Sequence, residues 1–384
     1  MRILYINWNS SLNAGVNVNR VYEILKFLPE KKVEIVHITP AEAFEMIGVK
    51  NIVIKNSFKG SQVTKYKTLI KNLVEFGDSE EQRNWVGDIK DYLGKEFKRM
   101  GKFDIVYVNT SPYCLSEAGQ FAKEIFNCKL VVDFQDAYYF FPYQPSSKFL
   151  NHLVKIKEER CLKGVDLLVT NTPSAEKAYK KAYPNLNVCW IPNMIPSNLL
   201  KLRKTSTEDR GVIAYGGSLY IGRDLFPILE ALKKIEKKFR IEVLGDYSSL
   251  NKFRYRKYSN IDWLGKLNRQ EYYQYLAGKV GIGVILQSFK VSNKIVSCIA
   301  AKTYEYLALQ KPVIYIGPEG DNAKMIRDYS KNFCVVTDPK DILKIVKYLT
   351  DFKQISDNTK DSFIKDYSSE RLCGKLLAKL NQVI

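Results

Sequence analysis

A chain of 384 residues exceeds what one hydrophobic core ordinarily supports, so two α/β domains of roughly 180 residues each are expected. Its 46% hydrophobic fraction is that of a globular protein, and its formal charge of +19 attracts phosphates, whether on nucleic acid, lipid head groups or nucleotides. The seven cysteines are scattered, odd in number and without any C-x-x-C pair, which argues against a disulfide framework or a zinc site and for a reducing cytoplasm.

The chain begins MRILYINW, an apolar run without the charged, apolar and small-residue regions of a signal peptide. No apolar run approaches the ~18 residues needed to span a bilayer, so a soluble or peripheral protein is expected. Short apolar runs then alternate with helical stretches, the pattern of a parallel sheet wrapped by helices. A first series of expected strands covers 2–6, 33–38, 104–108, 129–133, 166–170 and 188–191. Residues 51–100 fit the alternation poorly and read as a long polar, helical insertion carrying Trp85, Tyr92 and Phe97. The second series covers 212–215, 240–244, 261–264, 280–286, 313–316 and 333–336.

Between the series, Pro192 to Arg210 holds Pro192, Pro196 and many polar residues, the composition of a linker. The expected division is a first domain over 1–195, a linker over 196–210, a second domain over 211–367 and a closing helix over 368–384. Leu372, Leu376, Leu377 and Leu380 recur at helical spacing in that last segment.

Open parallel sheets bind ligands beyond the carboxyl ends of their strands, so the loops after each run are where chemistry is sought. After the first strand, Gly15 allows close backbone approach to a ligand or serves plain turn chemistry. After the run 129–133, Gln135 and Asp136 put an acid at a strand mouth, either to take a proton from a hydroxyl or to cap a helix. Gly216-Gly217-Ser218, followed by Arg223 before a helix, makes a phosphate cradle or a tight turn beside a surface arginine. The strongest signal is Lys302 and Glu305, one turn apart at the start of a helix that precedes a buried strand. That pair suits a diphosphate and a ribose; a purely structural ion pair is the other reading.

These segments together carry a family resemblance over the whole chain. KTYEYLALQKPVIYIG (Lys302 to Gly317) resembles the K-x-x-E-Y-x-A-x-G-K-P-V-I signature of family 4 glycosyltransferases, with Gln310 where glycine is usual. IPNMIP (Ile191 to Pro196) is similar to the family's I-P-N-G interdomain motif, and GGSLYIGRD (Gly216 to Asp224) to its G-R-x-x-x-x-K-G loop, with Ser218 in place of the arginine and Arg223 in place of the lysine. VNTSPY followed by LVVDFQDAYYF resembles the S-S-P-P and D-F-R-D-x-W pattern of a subgroup that builds bacterial surface polysaccharides.

The resemblance implies a GT-B fold, two Rossmann-like domains facing across a cleft, and transfer of a sugar from a UDP- or GDP-sugar to a glycan or lipid-linked acceptor. It implies that Glu305 binds the ribose, that Lys302 and Arg223 lie by the phosphates with Gly217 and Ser218, and that the base rests on the Trp263-Leu264-Gly265 turn. Asp136, with Gln135 and Gly15 on the acceptor side, is the expected catalytic residue. No D-x-D motif is present, so a metal-independent reaction with no cofactor is expected. A GT-B nucleotide-sugar epimerase and a non-catalytic protein that binds a nucleotide-sugar or nucleic acid are the alternatives. Nucleic acid is not an expected partner, since aromatics interleaved with basic residues on a strand face are lacking. Lys50, Lys55, Lys59, Lys65, Lys67 and Lys71, with apolar residues between them, form either a solvated face or a dock for an anionic membrane.

Overall fold

The computed structural model of the chain describes residues 1–9, 17–41, 45–58, 78–142, 147–202, 211–219, 222–245, 247, 249–289, 298–353 and 358–384. They divide into two compact units. The described residues of Met1–Pro192 and Ser369–Ile384 form one, and those of Asn193–Val291 and Ser297–Ser368 the other. The short helix Ser197–Leu200 lies in the stretch read as a linker and belongs to the second unit, packed against the helix Ala301–Ala308.

The first unit holds a parallel sheet of seven strands, β1 (Arg2–Asn7), β2 (Glu34–Thr39), β3 (Val49–Val53), β4 (Ile105–Thr110), β5 (Lys129–Phe134), β6 (Leu167–Thr170) and β7 (Val188–Trp190), in the order β3-β2-β1-β4-β5-β6-β7. Central β1 is apolar on both faces because helices cover both, and Ile3 to Ile6 are fully buried. Strand β3 was not expected. It is an edge strand, half exposed along most of its length, so it lacks the continuous apolar run of its neighbours.

Residues 51–100 nevertheless do carry a long helix, Glu80–Met100. Ser79 and Gln82 form a reciprocal capping box at its start, Glu80 and Glu81 favour the positive end of the helix dipole, and Lys98 and Arg99 favour the other. Its buried face is Trp85, Val86, Ile89 and Leu93. The Trp85 indole N–H donates to the carbonyl of Ile54 (2.7 Å), fastening the helix to the segment that leaves β3. The last helix, Ser369–Asn381, buries Leu372, Cys373, Leu376 and Leu380 and packs on the helix Asn17–Glu30 of the first unit.

The second unit repeats the plan with β8 (Val212–Gly216), β9 (Arg240–Leu244), β10 (Ile261–Gly265), β11 (Ile282–Leu286), β12 (Val313–Ile316) and β13 (Phe333–Val336), all parallel, in the order β10-β9-β8-β11-β12-β13. In each sheet the strand order reverses once, between β1 and β4 and between β8 and β11. The connections then run to opposite sides, which opens a crevice at the carboxyl ends of those strands.

Candidate functional site

In the second unit the chain leaves β8 through Gly216, Gly217 and Ser218. The Gly217 N–H donates to the Leu244 carbonyl (2.7 Å), and the Gly245 N–H to the Gly265 carbonyl (2.9 Å). Gly217, Gly245 and Gly265 therefore stand in a row across the ends of β8, β9 and β10, with φ of +148°, +145° and +77°. A Cβ on Gly245 would lie 2.5 Å from the Gly217 carbonyl oxygen, a separation no side-chain carbon tolerates. The consequence is a shelf of bare backbone on which a ligand can rest.

On the other side of β8, strand β11 is followed by Gln287 and Ser288. A Cβ on Gly222 would sit 2.6 Å from the Ser288 hydroxyl, so the loop bearing half-buried Arg223 lies close against the end of β11, at the switch point.

The helix Ala301–Ala308 supplies the charged side chains. It is seated on β11 at Gly283, where a Cβ would meet the Tyr306 ring at 2.6 Å. Its first turn is fixed by Asn322, whose amide oxygen accepts from the Ala300 N–H (3.0 Å) and the Thr303 hydroxyl (2.6 Å). Glu305 is 3% exposed, and its Oε2 lies 3.3 Å from the Lys302 ammonium. The Tyr272 hydroxyl, from the helix Arg269–Lys279, donates to the same oxygen (3.2 Å), and the Lys302 ammonium stands 4.6 Å from the Tyr272 ring centre. Loss of water and the Glu305 carboxylate hold the Tyr272 hydroxyl well above its ordinary pKa, so it remains a donor. The Tyr272 oxygen is 2.4 Å from where a Gly216 Cβ would be, which ties Glu305 to the end of β8.

Gln310, where the resemblance places glycine, has φ of +60° after the end of this helix. Its side chain offsets the strain of that left-handed conformation by accepting the Thr359 N–H (2.6 Å). Leu264, 41% exposed on β10, follows Trp263, which is packed on Tyr247 at 4.7 Å.

The first unit carries a second polar centre at the carboxyl ends of its own strands. Asn7, Asn109 and Asp133 are in register across β1, β4 and β5. Asp133 is fully buried and accepts from Arg20 Nε (2.7 Å), the Tyr107 hydroxyl (2.6 Å) and the Asn109 amide (3.2 Å). Arg20 also donates to the carbonyls of Ile191 (2.9 Å) and Pro192 (2.8 Å), pinning the last residues of the unit's main body. Gln135 is buried, donating to Asn109 (2.7 Å) and receiving the Asn171 amide on its carbonyl. Half-buried Asp136 follows, its carbonyl held by the Tyr113 hydroxyl (2.9 Å). His37 is buried on β2, and its ring nitrogens face the amides of Asn7 and Asn51. Burial lowers its pKa to about 4.

The structure thus gathers Gly217, Arg223, Lys302 and Glu305 around one sheet's switch point, with Ser218 exposed beside them, and sets Gln135 and Asp136 at the mouth of the other sheet. Gly15, Lys59, Lys65, Lys67 and Lys71 lie outside the described residues. Sequence reasoning missed Gly245, Tyr272, Asn322, Arg20 and Asp133. Only Asp133 left a trace, a charge inside the apolar run LVVDF.

No protein family and no curated protein matches the sequence. Solved structures match in fold. Sucrose-phosphate synthase from Thermosynechococcus elongatus aligns with a TM-score of 0.71 at 14% identity, over 100% of this chain and 98% of that one. Anabaena HepE, solved in complex with UDP-glucose, aligns at 0.67 and 14% identity over 100% of both chains. The lipopolysaccharide outer core galactosyltransferase WaaB aligns at 0.59 and 12% identity, again over 100% of both. The chain has the GT-B fold, built from two Rossmann-like domains with parallel sheets of seven and six strands.

Proposed function

We propose that this protein is a glycosyltransferase that moves a hexosyl group from a UDP- or GDP-sugar to a glycan or polyprenyl-linked acceptor in the synthesis of a surface polysaccharide or glycoconjugate. The observation that carries the reading is the coincidence, at one switch point, of the glycine shelf with the Glu305, Lys302 and Tyr272 cluster. The UDP and UDP-glucose complexes of HepE, a protein of the same fold, support it.

In this reading Glu305 accepts the ribose hydroxyls, and the diphosphate lies over Gly217 and Ser218, neutralised by Lys302 and Arg223. The base rests by Leu264. The acceptor oxygen attacks the anomeric carbon, the bond from that carbon to the diphosphate breaks with its electron pair leaving on the nucleotide, and the acceptor proton passes to Asp136. Basic side chains and backbone amides stabilise the leaving nucleotide, the role that preorganised charge plays in such steps. Nucleotide release from a panel of UDP- and GDP-sugars tests this. Release from at least one donor is expected, and release from none overturns it.

The acceptor class suggests where the enzyme works. Ile47 and Val53 are exposed around edge strand β3 beside exposed Lys50 and Lys55, at the start of the lysine-rich run over residues 50–71. Such a surface suits reversible docking on anionic lipid, at about 1 kcal/mol per lysine near the bilayer. Co-sedimentation with anionic but not neutral vesicles is expected, weakening when the lysines of 50–71 become glutamine. Equal binding to both vesicle types contradicts it.

A further inference from the structure

Asp136 opens a loop whose backbone is held almost residue by residue by side chains from elsewhere in the first unit. The Gln135 carbonyl accepts from Asn171 and the Asp136 carbonyl from Tyr113 (2.9 Å). The next two amides lead to one buried carboxylate. Tyr139 N–H donates to Glu158 Oε2 (2.7 Å), and Tyr138 N–H donates to the Tyr179 hydroxyl (3.0 Å), which itself donates to Glu158 Oε2 (2.5 Å). The Tyr183 hydroxyl donates to the other oxygen, Oε1 (2.8 Å).

Glu158 lies on the helix Lys148–Cys161, fully buried, in a setting that raises its pKa through loss of water. Burying a carboxylate is costly unless its lone pairs are satisfied, and among the described residues its donors are the Tyr139 N–H of the loop after Asp136, the hydroxyl of Tyr179, which holds Tyr138, and the hydroxyl of Tyr183, which stacks on Tyr179. Tyr113 stacks on Tyr138 at 3.9 Å, and Phe140 packs edge-on against Tyr179, so the same side chains also clamp the loop from its faces.

We infer that Glu158 is a positioning residue, which fixes the backbone two and three residues beyond Asp136 and so sets the direction of the Asp136 carboxylate. The inference rests on the assignment of Asp136 as the base. It also separates two roles for Glu158. A positioning carboxylate is replaceable by an isosteric amide, whose oxygen serves Tyr139 and Tyr179 while its NH2 donates to a turned Tyr183 hydroxyl. A carboxylate acting through its charge is not replaceable in that way.

The test compares Glu158→Gln, Glu158→Leu and Tyr179→Phe in nucleotide release from the best sugar nucleotide of the panel, in UDP affinity by calorimetry, and in hydrogen exchange of residues 136–142. Glu158→Leu is expected to speed exchange in that segment and to lower kcat about tenfold to a hundredfold, the scale of a small misplacement of a reacting group, with KM for the donor and UDP affinity unchanged. Glu158→Gln restores kcat to within about threefold of wild type, since it keeps the contacts. Tyr179→Phe lowers kcat in the same direction and decides the matter should Glu158→Leu not fold. Wild-type kcat in both Glu158→Leu and Tyr179→Phe, or a fall in kcat only in step with UDP affinity, overturns the inference. Should wild type release nucleotide from no donor, the functional reading fails by itself, and unchanged exchange at residues 136–142 then overturns the positioning role.

Discussion

Asp136 and Glu305 are assigned opposite duties, one toward the acceptor and one toward the donor, and each can be removed without touching the other. Asp136→Asn keeps the size and the backbone contacts but cannot take a proton. Turnover is expected to fall about a hundredfold, the usual scale for a lost general base, with UDP affinity unchanged by calorimetry. Turnover near wild type would place the base elsewhere and leave Asp136 as a loop residue. Lys302 and Glu305 were legible in the sequence because three-residue spacing on a helix fixes their shared face without tertiary knowledge. Tyr272 was not, since its tie to Glu305 spans 33 residues and depends on two helices meeting. Gly245 looked like any glycine after a strand; only the approach of the Gly217 backbone reveals why a side chain is excluded there.

Among the elements, helix Asn17–Glu30 is joined to β5 by the Arg20–Asp133 ion pair, both of whose side chains are buried. Arg20→Met alone leaves Asp133 charged and buried without its partner, and is expected to cost about 3–5 kcal/mol in denaturant unfolding. The double variant Arg20→Met with Asp133→Leu removes both charges and recovers most of that loss. No recovery would mean that the clamp on the Ile191 and Pro192 carbonyls, rather than the charge pair, holds the junction. Strand β2 contributes a pH dependence. With the His37 pKa lowered to about 4 by burial, the unfolded chain binds the proton more readily between pH 4 and the ordinary His value. The stability from neutral His37 is therefore fully present above about pH 6.5 and is lost as pH falls toward 4, about 3 kcal/mol in all. Unfolding of wild type and His37→Asn across that range checks it: the wild type should lose more stability on acidification, and parallel curves would contradict the assignment. Twelve strands were legible as apolar runs, whereas β3 was not, because an edge strand with no fully buried position carries little apolar signal.

At the scale of the whole molecule, two successive strand series announced two Rossmann-like domains. The return of the last helix to the first unit was not announced, since its leucine spacing specifies a buried face and not the partner that buries it. The charge of +19 suits phosphate-bearing ligands without saying where they bind; the place proposed for them is the switch point of the second sheet. Among the described residues no helix is long and apolar enough to cross a membrane. The central claim is that this switch point holds a nucleotide. Titration calorimetry of UDP and GDP into wild type and Glu305→Ala tests it most directly. Binding of at least one nucleotide is expected, weakened at least about tenfold in the variant by loss of charge-assisted hydrogen bonds, with its melting temperature preserved. Binding of neither nucleotide to wild type, or equal affinity in the variant, would contradict the account.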